Sequence, residues 1–272
     1  MSANYLARTA AGRPLLGDEA GFVPLSAAGF ESVEEALPAA AAGELPAPDD
    51  LPARRVPAEK LAFGLPIARK ALGKCWGIGL NYEEHAGDLG EDRPEEPASF
   101  MKPKTAVTGP GGPIRLPPRD ETERVTAEAE LAVLIGKTGS DVEDPDGLIA
   151  GYLPVIDMTA EDVLERNPRF LTRAKSFDTF LVLGPTIAVP DSPPAFDERA
   201  VRTERNGETV AENTMDHMLF SPAELLTFHS RVMTLEAGDL ISTGTPGAGV
   251  ISPGDTVRAD VEGIGSVEAD VV

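Results

Sequence analysis

Two glutamates set two residues apart, Glu128 and Glu130 in AEAELAVLIGK, and an aspartate closing a short apolar run, Asp157 in GYLPVIDMTAED, are the side chains whose types and spacing best suit chemistry. Leu131, Val133 and Ile135 alternate with the other positions, so the first segment reads as a strand, and a period of two turns both glutamates to one face. At roughly 6 to 7 Å and an effective dielectric near 20, their repulsion is on the order of 2 to 3 kcal/mol. Desolvation beside an apolar strand adds to that cost. A bound cation relieves both. Three carboxylates with no thiolate or imidazole nearby favour a hard ion, Mg²⁺ or Mn²⁺ first and Ca²⁺ next. The competing reading is a chance pair on an exposed strand edge, in a chain with 45 acidic residues.

Other residues carry chemistry of their own. In NYEEHAGD, His85 follows a strand-like run and Asp88 lies three residues on, the minimum for an oriented general base at neutral pH. A surface histidine in an acidic loop is the alternative. Lys102 in SFMKPKTA and Lys175 in AKSFDTF each stand between apolar neighbours, as inward-facing cations that stabilise developing negative charge do, and as snorkelling lysines do too. In STGTPGAG, Gly244 and Thr245 offer a backbone amide and a hydroxyl to a carboxylate, or form a plain tight turn. The string matches neither a P-loop nor a dinucleotide fingerprint. His217 and His229 receive no role.

These side chains are positioned by short apolar runs between Gly and Pro punctuation: CWGIGL, LAVLIG, YLPVID, FLVLGPTIAV and DLISTGTP, which predict a mostly β architecture. Residues 1–60 read as a small unit, a hairpin to about residue 35 followed by an Ala/Pro-rich short helix and extended connector, and residues 61–272 as the main domain. Helices are few. Ser221-Pro222-Ala223-Glu224 is a capping box with proline at the first helical position, and a shorter helix is expected from Thr159 as cap to just before Pro168. An acidic loop, residues 85–99, has the length of a functional lid.

The 272 residues, 42% hydrophobic and 25% charged, are those of an ordinary globular chain able to bury a large core. A net charge of −21 with no basic stripe argues against nucleic acid and anionic membranes. The opening residues carry no basic stretch leading into an apolar core, and no apolar run spans a bilayer, so a cytoplasmic protein is expected. The single Cys75 excludes an intramolecular disulfide and a thiolate cluster, and reads as a small buried hydrophobe beside Trp76. A net-negative protein that binds an organic acid has to build a local positive field from a metal and nearby lysines.

The ordered series GLNYxxH, FxKP, TGPxGPI, ExExAVxIGK, GYxxxxDxTAxD, AKSFDTFxxxGP, NGExxxxxTxxMxF and TLEAGDxIxTGTPxG resembles the fumarylacetoacetate hydrolase family from about residue 75 to the C-terminus. The resemblance implies an α+β fold dominated by a rolled mixed β-sandwich, a homodimer, and a divalent metal on Glu128, Glu130 and Asp157. It further implies a small-molecule 2-oxo acid or enol as substrate, with Lys175 at its oxygens, Thr245 at its carboxylate, and His85 with Asp88 activating water; Lys102 is expected to join Lys175 in binding substrate and spreading its negative charge. The implied reaction is hydrolysis of a carbon–carbon bond in a 2,4-dioxo acid; the alternatives are decarboxylation, isomerisation or dehydration of an oxo or enol acid, and a non-catalytic protein that its metal only stabilises. Three positions depart from the family pattern. Asp88 stands where glutamate is usual, and Glu161 and Leu164 replace an arginine and a substrate-contacting glutamine, so Glu161 is expected beside the substrate with its charge reversed.

Overall fold

A computed structural model of the chain describes residues 3–82, 94–191, 196 and 198–272. His85 and Asp88 therefore lie outside the described residues. Sixteen strands and four α-helices are found among the described residues.

Three N-terminal strands, β1 (Ala3–Arg8), β2 (Pro14–Asp18) and β3 (Gly21–Pro24), form the expected antiparallel hairpins and lead into helix α1 (Val33–Ala41). Ser32 caps α1 by accepting from Glu35 N. Next come β4 (Cys75–Gly79), β5 (Ala98–Lys102), β6 (Val107–Thr108) and the two long strands β7 (Val125–Ile135) and β8 (Ile149–Ala160). Short helices α2 (Glu161–Arg166) and α3 (Leu171–Lys175) follow, then β9 (Leu181–Leu183), β10 (Thr186–Pro190), β11 (Ala200–Arg205) and β12 (Glu208–Thr214). Helix α4 (Pro222–Val232) starts at the predicted capping box, with both reciprocal bonds between Ser221 and Glu224 formed. The chain closes with β13 (Leu240–Ser242), β14 (Ala248–Ile251), β15 (Thr256–Val261) and β16 (Gly265–Asp270).

Twelve strands make one mixed sheet whose main path runs β3-β2-β1-β10-β8-β7-β13-β4-β5, and four make a second antiparallel sheet, β12-β11-β15-β16. This is the mostly β, α+β architecture expected from the sequence. The N-terminal hairpin does not stand apart from the large sheet: β1 pairs with β10, Tyr5 opposite Ala188.

The ribbon β7–β8 is the axis of the molecule. Ala127, Ala129, Leu131 and Val133 on one face of β7 pack into a core shared with Val201, Val257, Ala259 and Val261 of the second sheet. On the other face, Ala132 and Leu134 join a second core with Leu6, Leu16 and the α1 side chains Val33, Ala36 and Leu37. That second face changes character along its length, because the even positions preceding Ala132 are Glu130, Glu128 and Thr126. A strand buried on both faces thus carries acids along half of one face. Among the described residues, no helix is long and apolar enough to cross a membrane.

Cys75 is buried, and burial pushes its thiol up to about 11, in keeping with an inert packing role. His229 is fully buried in α4, its ring 4.7 Å from that of Trp76.

Candidate active site

Antiparallel register decides the geometry. Glu128 stands directly opposite Asp157, and Glu130 opposite Val155, one pleat repeat further along. Directly opposed residues share a face, so all three acids point to the polar half of the ribbon, with exposures of 7%, 1% and 0% for Glu128, Glu130 and Asp157. The chance reading, an exposed strand edge, does not fit such burial.

Each acid has dedicated partners. Glu128 Oε1 accepts from the Thr159 hydroxyl, and its Oε2 lies 2.8 Å from Lys175 Nζ. Glu130 Oε2 accepts from the Ser242 hydroxyl and from Gly244 N at 3.0 Å. Asp157 Oδ1 receives Lys102 Nζ at 2.7 Å and Lys175 Nζ at 3.2 Å, whereas its buried Oδ2 has no hydrogen-bond partner among the described residues. The Lys175 ammonium also sits 4.9 Å from the centroid of the Phe100 ring.

Burial is the leading cause of the electrostatic tension. It drives the Glu130 carboxyl up to about 8, and the charges of Asp157 and Glu128 push in the same direction. Asp157 is likewise raised by burial and by Glu128, against the pull of Lys102 and Lys175. Burial works against the charge on Lys175, but Asp157, Glu128 and Glu130 together hold its ammonium above the ordinary value. Burial depresses Lys102, and Lys175 adds to that effect. Among the described residues, two ammonium groups, those of Lys102 and Lys175, face these three acids.

Among the described residues the donor set is oxygen only and includes a buried carboxylate oxygen with no partner there, which suits a hard divalent ion. In this arrangement, however, Lys175 bridges Glu128 and Asp157, and among the described residues no group of three acidic, histidine or cysteine side chains is set to hold an ion.

The remaining residues singled out from the sequence divide into two groups. Gly244 comes to the site: its φ of +96° is in the left-handed region, and a Cβ there would meet Asn81 Cβ at 2.8 Å. Glycine is what brings that N–H onto Glu130. Thr245 is adjacent and buried, but its hydroxyl closes its own turn, donating to Gly247 O at 2.8 Å. Glu161 is turned to Arg124, with Oε2 2.8 Å from Nε, so its charge is answered by a guanidinium that also reaches Glu165. Leu164 packs against the larger core.

Sequence reasoning missed three residues. Thr159, expected to cap a helix, stays in β8 opposite Thr126 and gives its hydroxyl to Glu128; α2 starts at Glu161 without a side-chain cap. Ser242 opens the STGTPGAG string and holds Glu130. Asn81 ties the same loop down, donating to Thr243 O at 2.6 Å and Phe220 O at 3.0 Å while accepting from Phe220 N at 2.9 Å. A polar residue inside an apolar run was the available signal for Thr159 and Asn81.

The family model described as fumarylacetoacetate (FAA) hydrolase C-terminal matches residues 74–272. A 5-carboxymethyl-2-hydroxymuconate delta-isomerase from Mycobacterium smegmatis is 33% identical, with a TM-score of 0.75 over 100% of this chain and 98% of that one. Fumarylpyruvate hydrolase from Pseudomonas aeruginosa, solved with Mn²⁺ and pyruvate, is 30% identical, with a TM-score of 0.67 over 74% of this chain and 90% of that one. The mitochondrial oxaloacetate tautomerase FAHD2A of Bos taurus is 34% identical over 228 residues, 80% of this chain and 71% of that protein.

Proposed function

This chain belongs to the fumarylacetoacetate hydrolase family, and from that membership and the buried charge cluster we propose that it is a divalent-ion-dependent enzyme acting on a 2-oxo acid or its enol. The observation that carries the reading is the opposed pair Glu128–Asp157, with Glu130 one repeat away, all buried and offset by two buried lysines. So much desolvated charge is costly to fold around and has no structural necessity at a site that alanine or valine would pack.

Glu128, Glu130 and Asp157 are the residues that would hold Mg²⁺, with Mn²⁺ or Ca²⁺ as substitutes; such an ion, when bound, polarises a 2-oxo group and stabilises enolate charge. Thr159 and Ser242 orient two of these carboxylates through their hydroxyls, and Gly244 N–H holds the second. Lys175, once turned from Glu128, is the side chain that meets the substrate oxygen and spreads its negative charge. Thr245 and the Gly244 loop flank the substrate carboxylate. His85, with Asp88, is assigned proton transfer to and from carbon or water.

Two reactions share this site. Movement of a proton, isomerisation or tautomerisation of an oxo or enol diacid, is the better supported, because the isomerase and the tautomerase resemble 100% and 80% of this chain. Hydrolysis of a 2,4-dioxo acid is the second reading, favoured by the hydrolase solved with Mn²⁺ and pyruvate. A proton NMR assay with enol-oxaloacetate, a 2-hydroxymuconate-type diacid and an acylpyruvate, with Mg²⁺ and with chelator, separates them: isomers mean proton transfer, and a pair of carboxylic acids means hydrolysis. No ion-dependent turnover of any of the three, or turnover that survives Glu128→Ala, refutes the proposal. The active form is proposed to be a homodimer, for which sedimentation gives the mass.

A further inference from the structure

Lys102 closes β5, and its side chain is 1% exposed. The ammonium nitrogen lies 2.7 Å from Asp157 Oδ1, 2.7 Å from Lys175 O, 2.7 Å from Phe180 O and 3.1 Å from Met158 O. An ammonium has three protons to donate. Four protein oxygens share them, so none is left for a ligand.

The identity of the acceptors matters. Lys175 O is the last carbonyl of α3, a five-residue helix too short to persist alone and with terminal carbonyls that no backbone N–H of the helix can reach. Phe180 O belongs to the turn that returns the chain to β9, and Met158 O to β8 itself. One buried cation therefore links the strand bearing Asp157 to both ends of the segment 175–180. The ammonium of Lys175 reaches Glu128 and Asp157 from the backbone that Lys102 fixes.

We infer that Lys102 is a positioning residue: it touches no substrate, and it acts by fixing the backbone that carries Lys175. This rests on the function proposed above, in which Lys175 meets the substrate, and it replaces the direct substrate contact that the sequence alone suggested for Lys102.

The test uses ¹⁵N-labelled full-length protein, in which buried hydrogen-bonded ammonium groups give resolved signals. Adding pyruvate to protein already saturated with Mg²⁺ is expected to shift the Lys175 signal and leave the Lys102 signal in place. A Lys102 signal that moves as far as that of Lys175 overturns the inference. This arm needs no Lys102 variant and stands even where Lys102→Met does not fold. A lysine with a merely structural role would also stay still, so pyruvate affinity is measured for Lys102→Met, Lys175→Met and the double variant. A positioning role predicts a loss of about tenfold for Lys102→Met, and a double variant within about twofold of Lys175→Met alone. Wild-type affinity in Lys102→Met, or losses that multiply in the double variant, overturns the inference. If pyruvate moves neither signal, the 2-oxo acid reading fails instead, and ion-free melting temperatures decide the positioning claim: a double variant less destabilised than the sum of the singles supports it, and additivity refutes it.

Discussion

Glu128→Gln separates an ion site from a cluster that only balances its own lysines. Gln keeps the shape of Glu128: its one carbonyl oxygen accepts from Lys175 Nζ while its amide N–H turns to donate to the Thr159 hydroxyl oxygen, so both contacts persist without the charge. Losing the charge assistance costs about 1 kcal/mol per bond. Against that, one carboxylate fewer removes repulsion with Glu130 of about 2 to 3 kcal/mol at roughly 7 Å and an effective dielectric near 20. Ion-free stability is therefore expected within about 2 kcal/mol of wild type, of either sign. The ion-dependent part behaves differently. At an Mn²⁺ concentration one hundred times the dissociation constant, wild type gains about 2.7 kcal/mol. For a chain of this size that is a rise of roughly 5 to 10 °C in melting temperature. Glu128→Gln is expected to lose most of this rise while melting close to wild type in chelator. Differential scanning fluorimetry with and without Mn²⁺ reads both numbers. A variant that keeps the full rise, or a wild type that never shows one, refutes the assignment of Glu128 to an ion.

Gly244→Ala places a methyl against Asn81 Cβ on a backbone with φ +96°, so it is expected to cost about 2 kcal/mol or more in urea unfolding and to weaken Mn²⁺ binding about tenfold by pulling the N–H from Glu130. His229 is held below its ordinary value by burial, with the bond to Leu225 O opposing. Above about pH 6.5 it is neutral folded and unfolded and contributes no pH dependence, whereas below that the unfolded chain takes up a proton that the folded one resists, and stability is lost as pH falls. The fall in melting temperature from pH 7 to pH 5 should therefore be smaller in His229→Leu than in wild type; equal slopes would contradict this. Leu164→Gln exposes the core contact of Leu164 and is expected to lower stability by about 1 to 2 kcal/mol without changing which product forms, as judged by NMR.

Periodicity and register explain why the centre of this site was legible. The alternation around Glu128 and Glu130 fixed their shared face, and the apolar run before Asp157 identified the strand that pairs with theirs, although only the structure supplies the register that sets Glu128 opposite Asp157. The α4 capping box was equally readable because its two bonds are local. What stayed hidden depends on contacts distant in sequence. Lys102 and its acceptor Phe180 O are far apart along the chain, so no spacing distinguishes a lysine that serves substrate from one that serves the backbone. Thr159 was misread for a related reason: its type and its distance from Asp162 suit a cap, but pairing with β7 overrides the local preference.

The same register accounts for the partner of Glu161. Continuing the β7–β8 register one step past Val125 and Ala160 sets Arg124 against Glu161, and the backbone follows, with Glu161 N donating to Arg124 O at 3.0 Å. The glutamate is thus paired by a guanidinium supplied from the opposite strand, two positions along the same face from Thr126 and Thr159. Arg124, Glu161 and Glu165 thus form a small network of their own at the end of the β7–β8 ribbon, while the buried acids Glu128 and Asp157 pair with Lys102 and Lys175.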